Sequence, residues 1–309
     1  MKTVSVVIET KNLELGPKLN LPAVIAGLNQ QTYAPGNIEI IVVVDAKNSA
    51  LSAFVRDSWP DVKLVETTET DYYQMKNLGA KVASGDIIVM LDSDCIPCPG
   101  WAESFVAQID VGADAVGGKT RYPAGEPFSR TFNFFNFGYI QADGRGIANS
   151  FLPNNVAFKR DVYLRHPFDA RLRRSGAARL LCAHLKAHGY RVVYEPLMLT
   201  THNAYGIREE MRMRVKAGFD TVNLSLVDTE GVLQEAKYMR AGSLALFVVC
   251  LNRIVFDVRA AFKNRKDLDL SLIHIPYFIV VSPFIRAVEL ASGLITFIWP
   301  QYFRDKYQW

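Results

Sequence analysis

Residues 85–94, Gly-Asp-Ile-Ile-Val-Met-Leu-Asp-Ser-Asp, decide the fold, because they read as an apolar strand that ends in two carboxylates. Successive side chains of a strand point to opposite faces, so Asp92 and Asp94 point the same way. After the strand turns, both carboxylates can converge on one divalent cation beside a nucleotide diphosphate. An acidic turn that only closes a strand gives the same short pattern. The surrounding sequence therefore has to decide between these two interpretations.

The neighbouring segments favour a nucleotide-binding α/β sheet. Apolar strand patterns cover residues 4–8 and 38–45, with a helix pattern at 21–31 between them, and a helix pattern at 75–84 leads directly into the Asp92 strand. Nearly continuous Val and Ile, with helices between the strands, is typical of parallel strands covered on both faces. Open sheets of this kind bind ligands at the carboxyl ends of their strands, which is where Asp45 lies.

In this order the segments resemble the family 2 glycosyltransferases, which have a GT-A fold. The matching stretches are residues 5–10, 39–45, 76–79, 83–86, 91–94, 153–160 and 189–196. No single stretch is specific for the family, but the ordered series of these stretches is. The resemblance spans about residues 3–220. The resemblance implies an α/β architecture, namely a Rossmann-like, mostly parallel sheet with flanking helices in residues 1–220. Residues 221–309 would then form a C-terminal region of apolar helices.

The resemblance also implies a set of site residues. A metal-dependent transferase of this family would use Mg²⁺ or Mn²⁺ and a uridine or guanosine diphosphate sugar. The nucleotide-sugar residues would be Thr10, Asp45, Lys76, Asp92, Ser93 and Asp94, the sugar or acceptor residues Asn154 and Asn155, and the metal ligands Asp94 and His202. A single histidine after a strand can also be an ordinary polar loop residue, so His202 has both interpretations.

The chain departs from the family pattern where the catalytic base is expected. Relatives usually carry a Gly-Glu-Asp or similar acidic motif at the start of the helix that here ends near Gly189, and one of those acids deprotonates the acceptor hydroxyl. In this sequence Ala177 and Ala178 follow Gly176 at that place. An inverting transfer needs a base within hydrogen-bond reach of the acceptor, and alanine cannot act as one.

Four explanations remain open for these alanines. Another group supplies the base, with Asp169, Glu195, His184 and Asp143 as candidates. In the second explanation the acceptor ionises by itself, as a phosphate would. In the third the protein binds nucleotide sugar or a partner without turnover, and in the fourth the chain is a deliberately inactivated variant. Asp169 is the preferred base because it precedes the altered motif by fewer than ten residues, although an Asp before a helix is commonly a cap or turn residue.

Charge and composition restrict the range of partners. The chain has 309 residues and a formal net charge of +4, which is too small to indicate nucleic acid. Basic residues cluster at 159–179 and 208–216, and such clusters suit a diphosphate, a lipid-linked phosphate or an anionic membrane, or form a solvated helix face. Aromatic residues are not interleaved with them as in nucleic-acid-binding motifs, so nucleic acid is not expected as a partner.

The C-terminal third is more apolar, with runs at residues 241–256 and 273–300. A spanning helix needs about 20 mostly apolar residues, and each run is short or contains charges. Arg253 with Asp257, and Arg286 with Glu289, have the spacing to pair on one helix face, which predicts amphipathic helices in the membrane interface. A packed helical region that forms a homo-oligomer is the alternative.

Together these features predict a membrane-associated enzyme that adds one sugar to a lipid carrier, as in glycolipid or polysaccharide-precursor synthesis. The Gln-x-x-Arg-Trp motif of processive synthases is absent from the sequence. Met1 and Lys2 lead straight into a strand pattern without the features of a secretory signal. We therefore expect the catalytic domain at the cytoplasmic face of the membrane.

Overall fold

A computed structural model describes residues 1–11, 20–123, 127–140, 146–172, 176–203, 206–263 and 272–303. The strands are β1 (Val4–Glu9), β2 (Ile38–Asp45), β3 (Lys63–Thr67), β4 (Ile87–Asp92), β5 (Cys95–Pro97), β6 (Ala115–Arg121), β7 (Asn155–Lys159) and β8 (Val192–His202). The helices are α1 (Leu21–Asn29), α2 (Ser49–Ser58), α3 (Tyr72–Val82), α4 (Trp101–Asp110), α5 (Pro127–Phe137), α6 (Arg160–Arg165), α7 (Ala177–Ala187), α8 (Ile207–Val227), α9 (Gln234–Met239), α10 (Ala245–Lys263) and α11 (Ile275–Ile298).

The predicted strands and helices of the first hundred residues are confirmed. β1 lies between β2 and β4 and pairs with both in parallel. Every residue of β1 and β4 is buried, which explains why their sequences are continuously apolar rather than alternating. The predicted helices appear as α1 and α3. The carboxyl ends of the three strands therefore meet at one edge of the sheet.

The complete sheet is mixed. The described strands run in the order β3-β2-β1-β4-β7-β6-β8-β5. Pairings β1–β2, β1–β4, β2–β3 and β6–β8 are parallel, whereas β4–β7, β6–β7 and β5–β8 are antiparallel. β7 thus enters against the direction of its neighbour β4, and Asn155 at its start pairs with Leu91 near the end of β4.

The chain forms two compact units. The first comprises Met1–Arg121, Ile140–Ala170 and His184–Asn203 and contains the whole sheet. The second comprises Tyr122–Tyr139, Arg171–Ala183 and Ala204–Trp309. The predicted domain boundary at residue 220 lies inside α8 of the second unit and stays a prediction.

In the second unit, α8 and α11 approach each other closely. A Cβ atom at Gly218 would collide with the carbonyl oxygen of Glu289, so glycine is what allows the two backbones this near. The Ser292 hydroxyl donates a hydrogen bond to the Val215 carbonyl oxygen at 2.6 Å. These contacts form a seam of small residues between the two helices.

A network of buried ion pairs joins α9, α10 and α11. The Arg286 guanidinium lies 2.8 Å from the carboxylates of both Asp257 and Glu289. Arg253 lies 2.9 Å from Glu289 and 3.1 Å from Glu235. The expected Arg286–Glu289 pair is present, but Arg253 pairs with other helices instead of with Asp257 four residues away, because α10 turns its charged face toward α9 and α11.

The opposite faces of α10 and α11 expose apolar side chains. They include Phe247, Val248, Leu251, Phe256, Phe262, Tyr277, Val280, Phe284 and Ile298. Within the described ranges, α11 is the helix long and apolar enough to cross a membrane by length and composition, and 33% of its most apolar window is buried. An exposed apolar surface of this size is characteristic of an interaction with a membrane or another protein.

Candidate active site

The Asp92 carboxylate is held from helix α3. Its Oδ1 atom accepts hydrogen bonds from the Lys76 ammonium and the Tyr72 hydroxyl, both at 2.7 Å. Tyr72 and Lys76 lie four residues apart and therefore on one face of α3. Asp92 and Lys76 are both fully buried, so each charge is compensated by the other rather than by water.

Asp94 and His202 face each other because β5 pairs with the end of β8, with Cys95 opposite His202. The distance from Asp94 Oδ2 to His202 Nε2 is 3.4 Å, and both side chains are buried. His202 Nδ1 lies 2.6 Å from the Asn203 carbonyl oxygen and so acts as the donor there. Nε2 is therefore the ring nitrogen that can bind a cation held between His202 and Asp94.

These side chains fit a divalent cation. Asp94, Cys95 and His202 can each present a ligand atom within 4.8 Å of the others. Burial, and next the charges of Asp94 and Asp92, raise the pKa of the Cys95 thiol well above its usual value, and Mn²⁺ and Mg²⁺ prefer carboxylate oxygen to sulfur as a ligand. One carboxylate and one imidazole remain as donors, a set that suits Mn²⁺ or Mg²⁺ and leaves positions for phosphate oxygens. The Ser93 hydroxyl beside them is buried and has no hydrogen-bond partner within the described residues.

The ends of β1 and β2 supply the remaining polar groups of this edge. The Thr10 hydroxyl donates to the Val43 carbonyl at 2.9 Å, which ties the end of β1 to β2. Asp45, partly exposed, accepts a hydrogen bond from the Lys47 backbone N–H at 2.9 Å. Because β2, β1 and β4 are adjacent, the structure brings Thr10 and Asp45 to the same sheet edge as the Asp92 turn.

Asn154 and Asn155 differ in their bonding. The Asn155 amide is fully buried and bonds to the Trp101 indole N–H and to the carbonyl oxygens of Lys119 and Met198, at 2.8–2.9 Å. It therefore joins α4, β6 and β8. Asn154 Oδ1 accepts a hydrogen bond from the Thr120 hydroxyl at 3.2 Å.

Ala177 and Ala178 are the first two residues of α7, after Gly176 with its positive φ of 92°. Both are buried, at 1% and 5% exposure, and neither carries an ionisable group. The position at which the sequence resemblance predicts a base is thus filled by packed methyl groups. The preferred replacement, Asp169, is partly buried and precedes Ala170, the last residue of a segment of the first unit.

The other candidate bases have different surroundings. The Glu195 carboxylate accepts hydrogen bonds from the Gln108 side chain at 2.8 Å and from the Leu197 N–H at 2.9 Å. His184 Nε2 lies 3.3 Å from His166 Nδ1. Asp143 lies outside the described residues. The assignment of the base stays a prediction.

Two residues at the site were not singled out from the sequence. Tyr72 orients Asp92 and could have been found from its spacing of four residues to Lys76. Glu9 is fully buried at the end of β1, in register with Asp92, and its Oε2 accepts a hydrogen bond from the Lys11 N–H at 2.6 Å. Glu9 lies within a matching stretch, but nothing in an apolar strand sequence indicates which polar end residue is buried.

Comparisons with known proteins agree with this geometry. Residues 5–166 match the model of the family described as glycosyl transferase family 2. The chain is 27% identical to the glucosyl-dolichyl phosphate glucuronosyltransferase of Haloferax volcanii, over 70% of this chain and 74% of that protein. It is 28% identical to the hyaluronan synthase of Pasteurella multocida over 34% of this chain and 11% of that protein.

One solved structure has the same fold along nearly the whole chain. It is the mannosyltransferase PcManGT from Pyrobaculum calidifontis, in complex with GDP-Man and Mn²⁺. The sequence identity is 18% and the TM-score 0.64, with 97% of this chain and 88% of that chain covered.

Proposed function

The chain belongs to the family 2 glycosyltransferases and has their GT-A fold, and on this premise we propose a specific reaction for it. The protein transfers one sugar from a uridine or guanosine diphosphate sugar to an acceptor carried by a lipid, at the cytoplasmic face of a membrane. The reaction depends on Mg²⁺ or Mn²⁺.

The observation that carries this proposal is the pair Asp94 and His202, 3.4 Å apart and buried next to Ser93, whose hydroxyl has no hydrogen-bond partner among the described residues. These two side chains would hold the cation, which, when bound, supplies positive charge to the diphosphate leaving group. Asp92, fixed by Lys76 and Tyr72, is oriented to accept hydrogen bonds from the ribose. Asp45, at the end of β2, is placed to accept a hydrogen bond from the nucleobase of the donor.

Calorimetry of UDP and GDP binding, with and without Mn²⁺, tests the site. We expect Asp94→Asn and His202→Gln each to lower Mn²⁺-dependent nucleotide affinity by about 100-fold or more, since even indirect partners of metal ligands contribute 10–100-fold. Asp110→Asn, a change of the same type at an exposed carboxylate, is the matched control. Unchanged Mn²⁺-dependent binding in both site variants would overturn the assignment.

Two observations support a lipid-borne acceptor at a membrane. The Haloferax volcanii relative is named for a dolichyl phosphate substrate. The exposed apolar faces of α10 and α11 offer an attachment surface, while the ion pairs on their inner faces keep charge away from lipid. Release of nucleoside diphosphate from a panel of donors, with and without membrane lipid extract, is the test. Release that requires the extract supports the proposal, and equal release with glucose or other soluble acceptors contradicts it.

Ala177 and Ala178 favour a second candidate, a module that binds nucleotide sugar without turnover. The Asp169→Asn variant distinguishes the two proposed functions. If Asp169 is the displaced base, this variant loses about 10²–10⁴-fold in turnover and keeps its nucleotide affinity. If the protein is instead a module without turnover, neither the wild type nor the Asp169→Asn variant releases nucleoside diphosphate.

Acidic residues introduced at positions 177 and 178 distinguish a chain that is inactive from one whose catalytic base lies elsewhere. Ala177→Glu combined with Ala178→Asp should create or raise transfer if the alanines are what silences the chain. Ala187→Glu, at an exposed position in the same helix, controls for added charge. No change in transfer, with the protein still folded, would point to a different base or to an acceptor that ionises by itself.

A further inference from the structure

Three histidines gather in the first unit, at residues that take no part in the sheet-edge site. His166 follows helix α6, His184 lies in the last turn of α7, and His188 comes directly after that helix. His184 and His188 are four residues apart and can each present a ring nitrogen within 4.8 Å of the other's. The ring centroids of His166 and His184 are 5.1 Å apart, and those of His184 and His188 are 4.2 Å apart.

The hydrogen bonds of these rings determine which nitrogens carry lone pairs. His188 Nδ1 lies 2.9 Å from the His184 carbonyl oxygen and must be the donor, so Nε2 of the neutral His188 ring carries the lone pair. His166 Nε2 lies 3.2 Å from the Tyr190 hydroxyl. That oxygen also accepts from Arg165 at 3.0 Å and can accept a second N–H, so this contact fits the His166 tautomer with its lone pair on Nδ1. In that tautomer His184 Nε2 donates to His166 Nδ1, and an ion that binds both nitrogens displaces this proton to His184 Nδ1 or to solvent.

One pair of nitrogens is already spaced as two ligands on a single ion are. His166 Nδ1 and His184 Nε2 are 3.3 Å apart. Two imidazoles bound at about 2.0–2.1 Å in a tetrahedral zinc site have their nitrogens about 3.3 Å apart. Metal-bound histidines usually donate their other N–H to a carbonyl or similar acceptor, as His188 does to its helix and as His166 can do to Tyr190.

We propose that His166, His184 and His188 form a second metal site, which binds Zn²⁺ or a similar late transition ion through three imidazoles. An all-nitrogen set selects such ions over Mg²⁺ and Mn²⁺, which prefer the carboxylate at the sheet edge. The bound ion joins the end of α6 to the end of α7. A metal ligand at His184 also removes that residue from the candidate bases.

The test is a Zn²⁺ titration of the full chain, freed of any polyhistidine tag, in competition with a chromogenic chelator. We expect one Zn²⁺ per chain at this site. His166→Gln, His184→Gln and His188→Gln should each weaken it by about 100-fold or more, and Tyr190→Phe by about tenfold, because it removes the acceptor that orients His166. His274→Gln is the matched control, since the chain has five histidines and only His274 belongs to neither site.

Two further measurements keep the result decisive. Co²⁺ in place of Zn²⁺ should give the intense visible absorption of a four-coordinate site in the wild type and lose it in the three variants, whose folding is checked by circular dichroism. His202→Gln should leave the Zn²⁺ affinity unchanged. The proposal is overturned if the dissociation constant of the wild type exceeds about 100 µM, if the three variants bind like the wild type, or if His202→Gln abolishes the binding.

Discussion

The carboxylates among the C-terminal helices and those at the edge of the sheet are equally buried but differently surrounded. Glu289 lies between two arginines at 2.8 and 2.9 Å, and Asp257 receives a guanidinium at 2.8 Å. At the sheet edge, Asp94 faces an imidazole at 3.4 Å, next to the Ser93 hydroxyl, which makes no hydrogen bond to the described residues. The first set is satisfied by strong charge pairs within the protein, whereas the second set still has bonding capacity for a ligand.

Asp92 lies at the sheet edge, but it is paired with a buried cationic side chain, as the carboxylates of the C-terminal helices are. Its contact to buried Lys76 is 2.7 Å long, as close as any pair in the helix network other than Arg179–Glu235. Asp92 is therefore held by a buried ammonium, whereas Asp94, two residues away, faces an imidazole and is the carboxylate that we propose as a cation ligand. Stability measurements on single variants can test this distinction.

Glu289→Gln should have the largest effect on stability. The variant removes the carboxylate that Arg253 and Arg286 share and leaves each of these buried guanidinium groups with one acidic partner instead of two, which we expect to lower the free energy of unfolding by about 3–5 kcal/mol. Chemical denaturation in detergent measures it. Glu66→Gln, in the exposed pair with Arg56 at 3.5 Å, is the control and should cost less than about 1 kcal/mol. Equal effects of the two variants would show that the helix network contributes no more than a surface pair.

Asp92→Asn should come next, at about 3 kcal/mol, because it isolates the Lys76 ammonium in a fully buried position. The double variant Asp92→Asn with Lys76→Met removes that charge and should recover most of the loss. If the double variant is as unstable as the single one, the ion pair is not what Asp92 contributes to stability. The same denaturation experiment gives both values.

Glu235→Gln should destabilise the protein by up to about 3 kcal/mol at pH 7, with a defined dependence on pH. Burial alone would raise the pKa of Glu235, but Arg253 and Arg179 outweigh it and lower the pKa from 4.5 to about 2. The unfolded chain then binds the proton first, so the stabilisation is complete above about pH 4.5 and is lost as the pH falls toward 2. The difference between wild type and variant should narrow over that range, and a constant difference would contradict the assigned charge pair.

Asp94→Asn should have the smallest effect on stability, less than about 1 kcal/mol in either direction, because its partner His202 can remain neutral. Unfolding is measured without metal and repeated with Mn²⁺ and nucleotide. The wild type should gain stability from the ligands by mass action, and the variant should not. A loss as large as that of Asp92→Asn would place Asp94 among the structural carboxylates.

Sequence patterns were sufficient for the sheet edge because its signals are local. Continuous Val and Ile in β1, β2 and β4 can be buried only in the middle of a sheet, and parallel pairing then brings their carboxyl ends together. The position of Asp92 and Asp94 follows from that pairing alone. The resemblance to a family added the order of the remaining motifs.

Long-range contacts could not be predicted in the same way. Asn155 bonds to backbone carbonyls 36 and 43 residues away in sequence, and a backbone acceptor leaves no mark in the sequence. Arg253 has Asp257 at a favourable local spacing, yet the rotation of α10 turns it toward Glu235 and Glu289. Spacing within one helix determines which side chains can meet, and packing between helices determines which of them do.

The seam between α8 and α11 determines how a detergent-free form of the enzyme could be made. A fragment that ends at residue 220 would stop inside α8 and expose Gly218. This residue has no side chain, and the backbone of α11 packs directly against it. Such a fragment would also remove Glu289, which lies 3.6 Å from the buried Arg214 guanidinium of α8. Solubility would better be engineered on the outer faces, by polar replacements at Phe247, Leu251 and Phe284, which leave the seam and the ion pairs beneath it intact.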